Sequence, residues 1–341
     1  LRAAIIEANP IDPERDAGAR AIADLSDSFV RIGFETTLFV ENPNLENTLA
    51  NFNSDVIVAS RSSTMIRAQH FRKEFNAPVL YWAHDLQAKR ISLRESLEGT
   101  PASASLARSF IEQLAISSSD LAVFPTKEDS NGARRKYCVS NIDQHQYFSF
   151  NSPARSSESA REDNIVFIGS PEHVPNPDGL RWFLEDCWPW IHDKANSAKL
   201  QIIGTWQDSE ISNEDHYGVE FTGQLSEEEV RDIMSESLIG VSPLRFGAGL
   251  KRKTLQYLDN GLALVSTDFG LQGLPRSQDH KSWIRANTSN DFIDAIIRLL
   301  SDRSLANEIS KSGNEFLRQN FSEQAFDSGL VRILKKIKVP V

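Results

Sequence analysis

Short apolar runs alternate with amphipathic helical stretches along most of this chain, and that alternation admits few architectures. In the first half the runs fall at residues 3–8, 37–40, 56–59, 79–82 and 121–124. A helix with Ala21, Leu25, Phe29 and Ile32 on one face and Gly33 as its stop follows the first run, and others are predicted around 65–75 and 106–116. A second series begins at 165–168 and continues at 200–203, 219–221, 238–241 and 262–265. Ser226-Glu-Glu-Glu229 before Val230 is a capping-box pattern that starts one of the intervening helices. Helices are also predicted over 291–300, 304–316 and 323–337. Strands joined by helical crossovers pair in parallel, so the spacing predicts doubly wound α/β sheets. Residues 149–163 lose the periodicity and become Ser-, Ala- and charge-rich, which reads as a solvated linker.

With 341 residues there is room for two domains, each with its own core. A formal net charge of −10 argues against nucleic acid as the main partner, because such domains carry a broad basic surface. Cys138 and Cys187 lie far apart without a C-x-x-C, so neither a zinc site nor a disulfide framework is indicated and a reducing cytoplasm fits. No apolar run approaches the ~18 residues of a membrane span, and no signal peptide is visible. The chain opens at Leu1 directly in a predicted strand, so residues upstream are expected in the full-length protein.

The richest stretch for chemistry runs from Ser242 to Gly261, SPLRFGAGLKRKTLQYLDNG. It reads as the end of a strand, a glycine loop and a helix, with Gly247 and Gly249 allowing a tight turn and Asn260-Gly261 as the stop. A helix start offers unpaired N–H groups and the positive end of a dipole, which suits an anion. Lys251, Arg252 and Lys253 add three cations in the first turn, where the dipole alone disfavours them. A bound phosphate resolves that conflict; a solvated charged face is the alternative. The spacing is not that of a Walker loop.

Ligands of doubly wound sheets sit outside the carboxyl ends of the strands. That places three loops of the first half in view: residues 16–20, His84-Asp85, and 126–128. His84 can donate a hydrogen bond to a sugar hydroxyl or shuttle a proton, or it can simply bond a neighbouring carbonyl. Asp16 and Gly18 can bring backbone amides to a ligand, or serve an N-cap and turn. Trp182, Trp188 and Trp190 read as core at helical spacing. The basic amphipathic stretch 330–338 reads as packing its apolar face on a domain, with anionic lipid as the alternative.

Together these features resemble a GT-B glycosyltransferase, and more narrowly family 4, the retaining, nucleotide-sugar-dependent enzymes. The residues that carry it are Phe167-Ile-Gly-Ser170, Pro175-Asn-Pro-Asp-Gly-Leu-Arg-Trp-Phe183, Phe221-Thr-Gly223, the loop from Pro243 to Leu255, Gly261 to Thr267 and Gly270-Leu-Gln-Gly273. Asp16-Ala-Gly18, His84-Asp85 and Ser119-Asp-Leu-Ala122 match more thinly. The resemblance implies two Rossmann-like domains facing a cleft: residues 1–150 on the acceptor side, a linker at 151–163, and 164–321 holding the nucleotide sugar. Residues 322–341 would cross back to the first domain. It further implies His84 as the catalytic-site residue and Gly18, Gly169, Arg245, Gly247, Gly249, Lys251, Lys253 and Gln256 as donor-binding residues.

No D-x-D occurs in the sequence, so neither metal nor cofactor is expected, and cations with a helix dipole would meet the leaving diphosphate. The implied partners are a nucleotide-sugar donor and a glycan, lipid-linked or protein-linked acceptor. No nucleic acid and at most peripheral membrane contact are expected of a cytoplasmic protein, with the inner face of the membrane as the alternative site. Two departures from the family stand out. Gln256 occupies a position where many members present an acid to the nucleotide ribose, and Ser170 and Asn176 stand near a frequent Arg/Lys pair that is missing. Gln256 therefore supports a second reading, a catalytically degenerate binding subunit. A sugar-nucleotide epimerase on the same architecture is a third.

Overall fold

In the computed structural model, the described residues are 1–13, 17–40, 52–151, 161–206, 211 and 216–341. The chain forms two compact units. The first comprises Leu1–Ser149, Ala248–Leu250 and Phe321–Val341; the second comprises Phe150–Gly247 and Lys251–Asn320.

In the first unit the chain runs through β1 (Arg2–Glu7), α1 (Ala17–Arg31), β2 (Glu35–Val40), β3 (Val56–Ala59), α2 (Met65–Phe75), β4 (Val79–Trp82), α3 (Gln87–Glu98), α4 (Ser103–Ser118), β5 (Leu121–Phe124), α5 (Lys127–Tyr137) and β6 (Ile142–Gln144). Its six strands pair in the order β2-β1-β3-β4-β5-β6, all parallel. The central strands β3, β4 and β5 are buried throughout, as continuous apolar runs in a parallel sheet should be. Met65, Ala68 and Phe71 of α2, Ala115 and Ile116 of α4, and Tyr137 of α5 share one core with these strands.

In the second unit follow β7 (Glu162–Ile168), α6 (Pro175–Trp182), a π-helical turn over Phe183–Cys187, α7 (Trp188–Lys194), β8 (Lys199–Ile203), β9 (Val219–Gly223), α8 (Glu227–Glu236), β10 (Ser237–Ser242), α9 (Arg252–Asp259), β11 (Ala263–Ser266), β12 (Ile284–Arg285), α10 (Ser289–Ser301) and α11 (Arg303–Phe321). The strand order is β12-β11-β10-β7-β8-β9, again all parallel. The order reverses between β7 and β10, which is where an open sheet leaves a crevice at its carboxyl edge. Phe183 and Phe292 pack edge-on, 5.9 Å between centroids, in the core of this unit.

The last helix, α12 (Glu323–Lys336), belongs to the first unit. It buries Phe326, Leu330, Ile333 and Leu334. Its Asp327 accepts from Ser28 Oγ at 2.6 Å and from Arg31 Nη2 at 2.8 Å, both on α1. Packing, not a lipid face, accounts for the apolar side of this basic helix.

Several local readings change. The linker expected at 151–163 falls mostly on 152–160, outside the described residues. Its end is ordered into the second unit, where Arg161 donates to the carbonyls of Asn260 (3.0 Å) and Ser237 (3.2 Å). The loop expected at 126–128 is the start of α5, with Thr126 Oγ1 accepting the Asp129 N–H at 2.9 Å. Trp188 is buried and Trp182 packs edge-on to Phe292, but Trp190 is 60% exposed and so is not core.

Candidate functional site

The carboxyl end of β7 leads into Gly169, whose N–H donates to the Ile203 carbonyl at 3.0 Å. A Cβ on Gly169 would stand 2.7 Å from Asn176 Nδ2 and 3.0 Å from Lys253 Nζ. Only a glycine lets those two side chains come together over the strand end. Asn176, buried in the first turn of α6, donates from Nδ2 to the Ser170 carbonyl at 2.9 Å. Its Oδ1 accepts from Lys253 Nζ at 2.7 Å. The ammonium also lies 4.4 Å from the centroid of the Phe167 ring, a cation–π contact.

The other half of this constellation is the start of α9. Gly247 and Gly249 hold φ of +146° and +77°, conformations that side chains rarely adopt. Lys251 occupies the N-cap with extended backbone and is 8% exposed, its Nζ in van der Waals reach of the Gly247 position. The Lys251 side chain makes no capping hydrogen bond, and the first turn carries no acid. Arg252 turns to Glu227 at 3.1 Å. Of the three adjacent cations, then, one is neutralised and two are held inward. Burial, followed by the nearby Lys251 charge, pushes Lys253 down to about 7. A cation so placed gains most from an anion, which replaces lost solvation and offsets the repulsion.

Arg245, expected among the donor-binding residues, is engaged within the second unit. It forms a two-pronged ion pair with Asp178 of α6, Nε–Oδ2 2.8 Å and Nη2–Oδ1 2.5 Å, which raises its pKa and commits its guanidinium to a protein carboxylate. Gln256 sits one turn beyond Lys253, partly buried. The motif Gly270 to Gly273 supports the helix from below: Thr254 Oγ1 donates to the Gly270 carbonyl at 2.8 Å.

In the first unit, His84 follows Trp82 at the end of β4 and is partly buried. Its ring stands edge-on to Tyr147, 6.3 Å between centroids. Tyr147 in turn stacks on Trp82 at 4.5 Å and donates its hydroxyl to the Val123 carbonyl at 2.5 Å, so the floor beneath His84 is rigid. Asp85 pairs with Arg90 at 2.8 Å. Gly249 belongs to this unit, and a Cβ there would meet Asp85 Cβ at 3.2 Å and the His84 carbonyl at 3.3 Å. Gly18 lies inside the first turn of α1 rather than in a loop, and Asp16 is outside the described residues.

One polar cluster escaped sequence reasoning. Glu7, 2% exposed at the end of β1, accepts from Arg61 Nε at 2.5 Å, from Ser60 Oγ and from the Ala8 N–H at 2.9 Å. It lies where the first sheet reverses order, between β1 and β3. An acid closing an apolar strand was the available signal. Among the described residues, no group of three His, Cys, Asp or Glu side chains is placed to hold a metal ion.

Comparison with known proteins adds to this geometry. The structure superposes on sucrose-phosphate synthase from Thermosynechococcus elongatus with a TM-score of 0.78 at 13% identity, covering 98% of both chains. It superposes on Anabaena HepE in complex with UDP with a TM-score of 0.73 at 11% identity, covering 98% of this chain and 100% of the other. The fold is GT-B. Within this GT-B chain, residues 162–302 match the family model for glycosyl transferases group 1, a span that apart from 248–250 lies in the second unit. A Klebsiella pneumoniae protein described as an uncharacterized 44.6 kDa protein in the cps region is 28% identical over 173 residues. That alignment covers 48% of this GT-B chain and 44% of the relative's length. Among the described residues, no helix is long and apolar enough to cross a membrane.

Proposed function

We propose that this protein is a retaining glycosyltransferase that moves a sugar from a nucleotide-sugar donor to a glycan, lipid-linked or protein-linked acceptor, without a metal. The match of 162–302 to the glycosyl transferases group 1 model supports the reaction class. The observation that carries the reading is Lys253, held by Asn176 over Gly169 in the first turn of α9. As the glycosidic bond breaks, the leaving diphosphate gains charge, and donors aimed at it stabilise the transition state more than the ground state. Lys253 is assigned to that diphosphate, with Lys251 as the second cation and the α9 amides assisting. Gln256 takes the nucleotide ribose through a neutral amide. His84 bonds a hydroxyl of the donor sugar. A UDP donor is favoured because HepE, a similar structure, was solved with UDP. Cys138 and Cys187 are both free thiols, in keeping with a cytoplasmic site of action.

The deciding experiment is a thermal-shift screen of nucleotide sugars followed by turnover with those that bind. A ligand at 100 times its dissociation constant adds about 2.7 kcal/mol of stability. Release of nucleoside diphosphate that disappears in Lys253→Ala supports transfer. Gln256 and the engaged Arg245 favour a second reading, a binding subunit, which predicts stabilisation without turnover. Appearance of an epimerised donor would replace both.

A further inference from the structure

Where the second sheet reverses its order, one ladder stops short. Between β7 and β10 the pairing ends at Val166 and Gly240, although β7 runs on to Ile168 and β10 to Ser242. A backbone N–H beyond the last pair needs another acceptor, because a donor left unpaired away from water is costly. Ile168 finds one on a side chain of α9, its N–H donating to the Tyr257 hydroxyl at 2.8 Å. Tyr257 is fully buried, and its ring lies against β10 at Gly240. A Cβ on Gly240 would stand 2.5 Å from Tyr257 Cγ, so only glycine admits the ring there. Tyr257 thus fills the place where the two strands diverge.

The next residue is held from the other side. Trp206, three residues beyond β8 and also fully buried, donates its indole N–H to the Gly169 carbonyl at 2.6 Å. The Gly169 N–H is taken by the Ile203 carbonyl. Residues 167–169 therefore form a fixed platform, tied to β8 and the loop after it on one side and to α9 on the other. Lys253 stands on that platform, its Nζ 4.4 Å from the Phe167 centroid and 3.0 Å from the position of a Gly169 Cβ. Lys253 and Tyr257 are four residues apart on α9 and so share a face. Asn176 holds the ammonium from α6, and the charge that faces it is Lys251.

We infer that Tyr257 is the positioning residue of the diphosphate site: its hydroxyl, bonded to Ile168, fixes the distance between α9 and the end of β7, and with it the place of Lys253 Nζ. Tyr257 has no exposed surface, so it acts through Lys253 and not on the ligand. Stabilisation by an aimed charge depends on distance, and a misplacement of about 1 Å can cost about a hundredfold in rate. The inference rests on the reading of Lys253 as the cation that meets the diphosphate.

The test is Tyr257→Phe, which keeps the ring against Gly240 and removes a single oxygen. Transfer should slow by about tenfold to a hundredfold, while the variant still folds and melts only about 2–4 °C lower. Amide hydrogen exchange at Ile168 and Gly169 should quicken. Loosened from its platform, the Lys253 ammonium regains water and its pKa climbs from about 7. Calorimetry at pH 8 should then show uridine diphosphate taking up less of a proton on binding than with the wild type. A merely structural tyrosine would lower the melting temperature and leave proton uptake and rate where they were. That result overturns the inference and leaves the transfer reading intact. A wild type that binds no uridine diphosphate sinks the transfer reading and takes the inference with it.

Discussion

Asn176 Oδ1 holds Lys253 Nζ at 2.7 Å, joining the start of α6 to the start of α9 over the end of β7. The neutral amide fixes the ammonium without cancelling its charge. Lys253→Ala should therefore lower transfer by roughly thirty- to several-thousand-fold, from the ~2–5 kcal/mol that truncation of a buried charged partner costs. Lys251→Ala should cost less. Steady-state turnover of both and of the double variant checks this; wild-type rates and donor affinity in all three would reduce the cluster to a charged surface.

Lys253 also fixes the direction of a pH effect. Its ammonium sits near 7 when folded and without ligand, against an ordinary 10.5. The unfolded chain thus binds the proton more tightly, and this group's contribution to stability is full above pH 10.5 and lost as pH falls to about 7. A diphosphate reverses the preference, so binding at pH 8 should take up a proton and weaken as pH rises. Calorimetry of uridine diphosphate in buffers of different ionisation enthalpy measures the uptake; a value near zero contradicts the placement.

Lys253→Met removes the partly buried charge and keeps its apolar stem. At pH 6 this variant should melt above the wild type, by an amount equivalent to a few kcal/mol at most, while losing nucleotide binding. A lower melting temperature would mean that the ammonium supports the fold.

Transfer should continue at nearly its normal rate in excess EDTA, because Lys253, Lys251 and the dipole at the start of α9 supply the positive charge. Loss of activity on chelation, restored by magnesium or manganese, would overturn metal-free departure of the diphosphate.

His84→Ala should slow turnover substantially while uridine diphosphate binds as before. An unchanged rate returns His84 to a structural role beside Tyr147.

The sequence revealed what is periodic or local. The buried strands stand out as continuous apolar runs, and the box at Ser226 and Glu229 closes as its spacing indicates, Ser226 Oγ accepting the Glu229 N–H at 3.3 Å. What stayed hidden depends on distant partners. Helix α3 has few apolar residues, and its first turn is capped by Glu112, 25 residues away. The two-residue strand β12 exists only through its pairing with β11. At the site, the glycine loop and its lysines were visible as a local run, but nothing local said that Arg245 would be claimed by Asp178, 67 residues earlier. Nor did spacing show that Asn176 would hold Lys253, 77 residues apart.

Helix α12 has a consequence for how the protein is made. The first unit is finished only by Phe321–Val341, while the second, from Phe150 to Asn320 apart from 248–250, precedes them in the chain. During synthesis, the surface of α1 whose Ser28 and Arg31 bond Asp327 waits uncovered while the whole second unit is added. The unit begun before the other is thus completed after it, and the interval in which α12 is missing is the stage most open to aggregation.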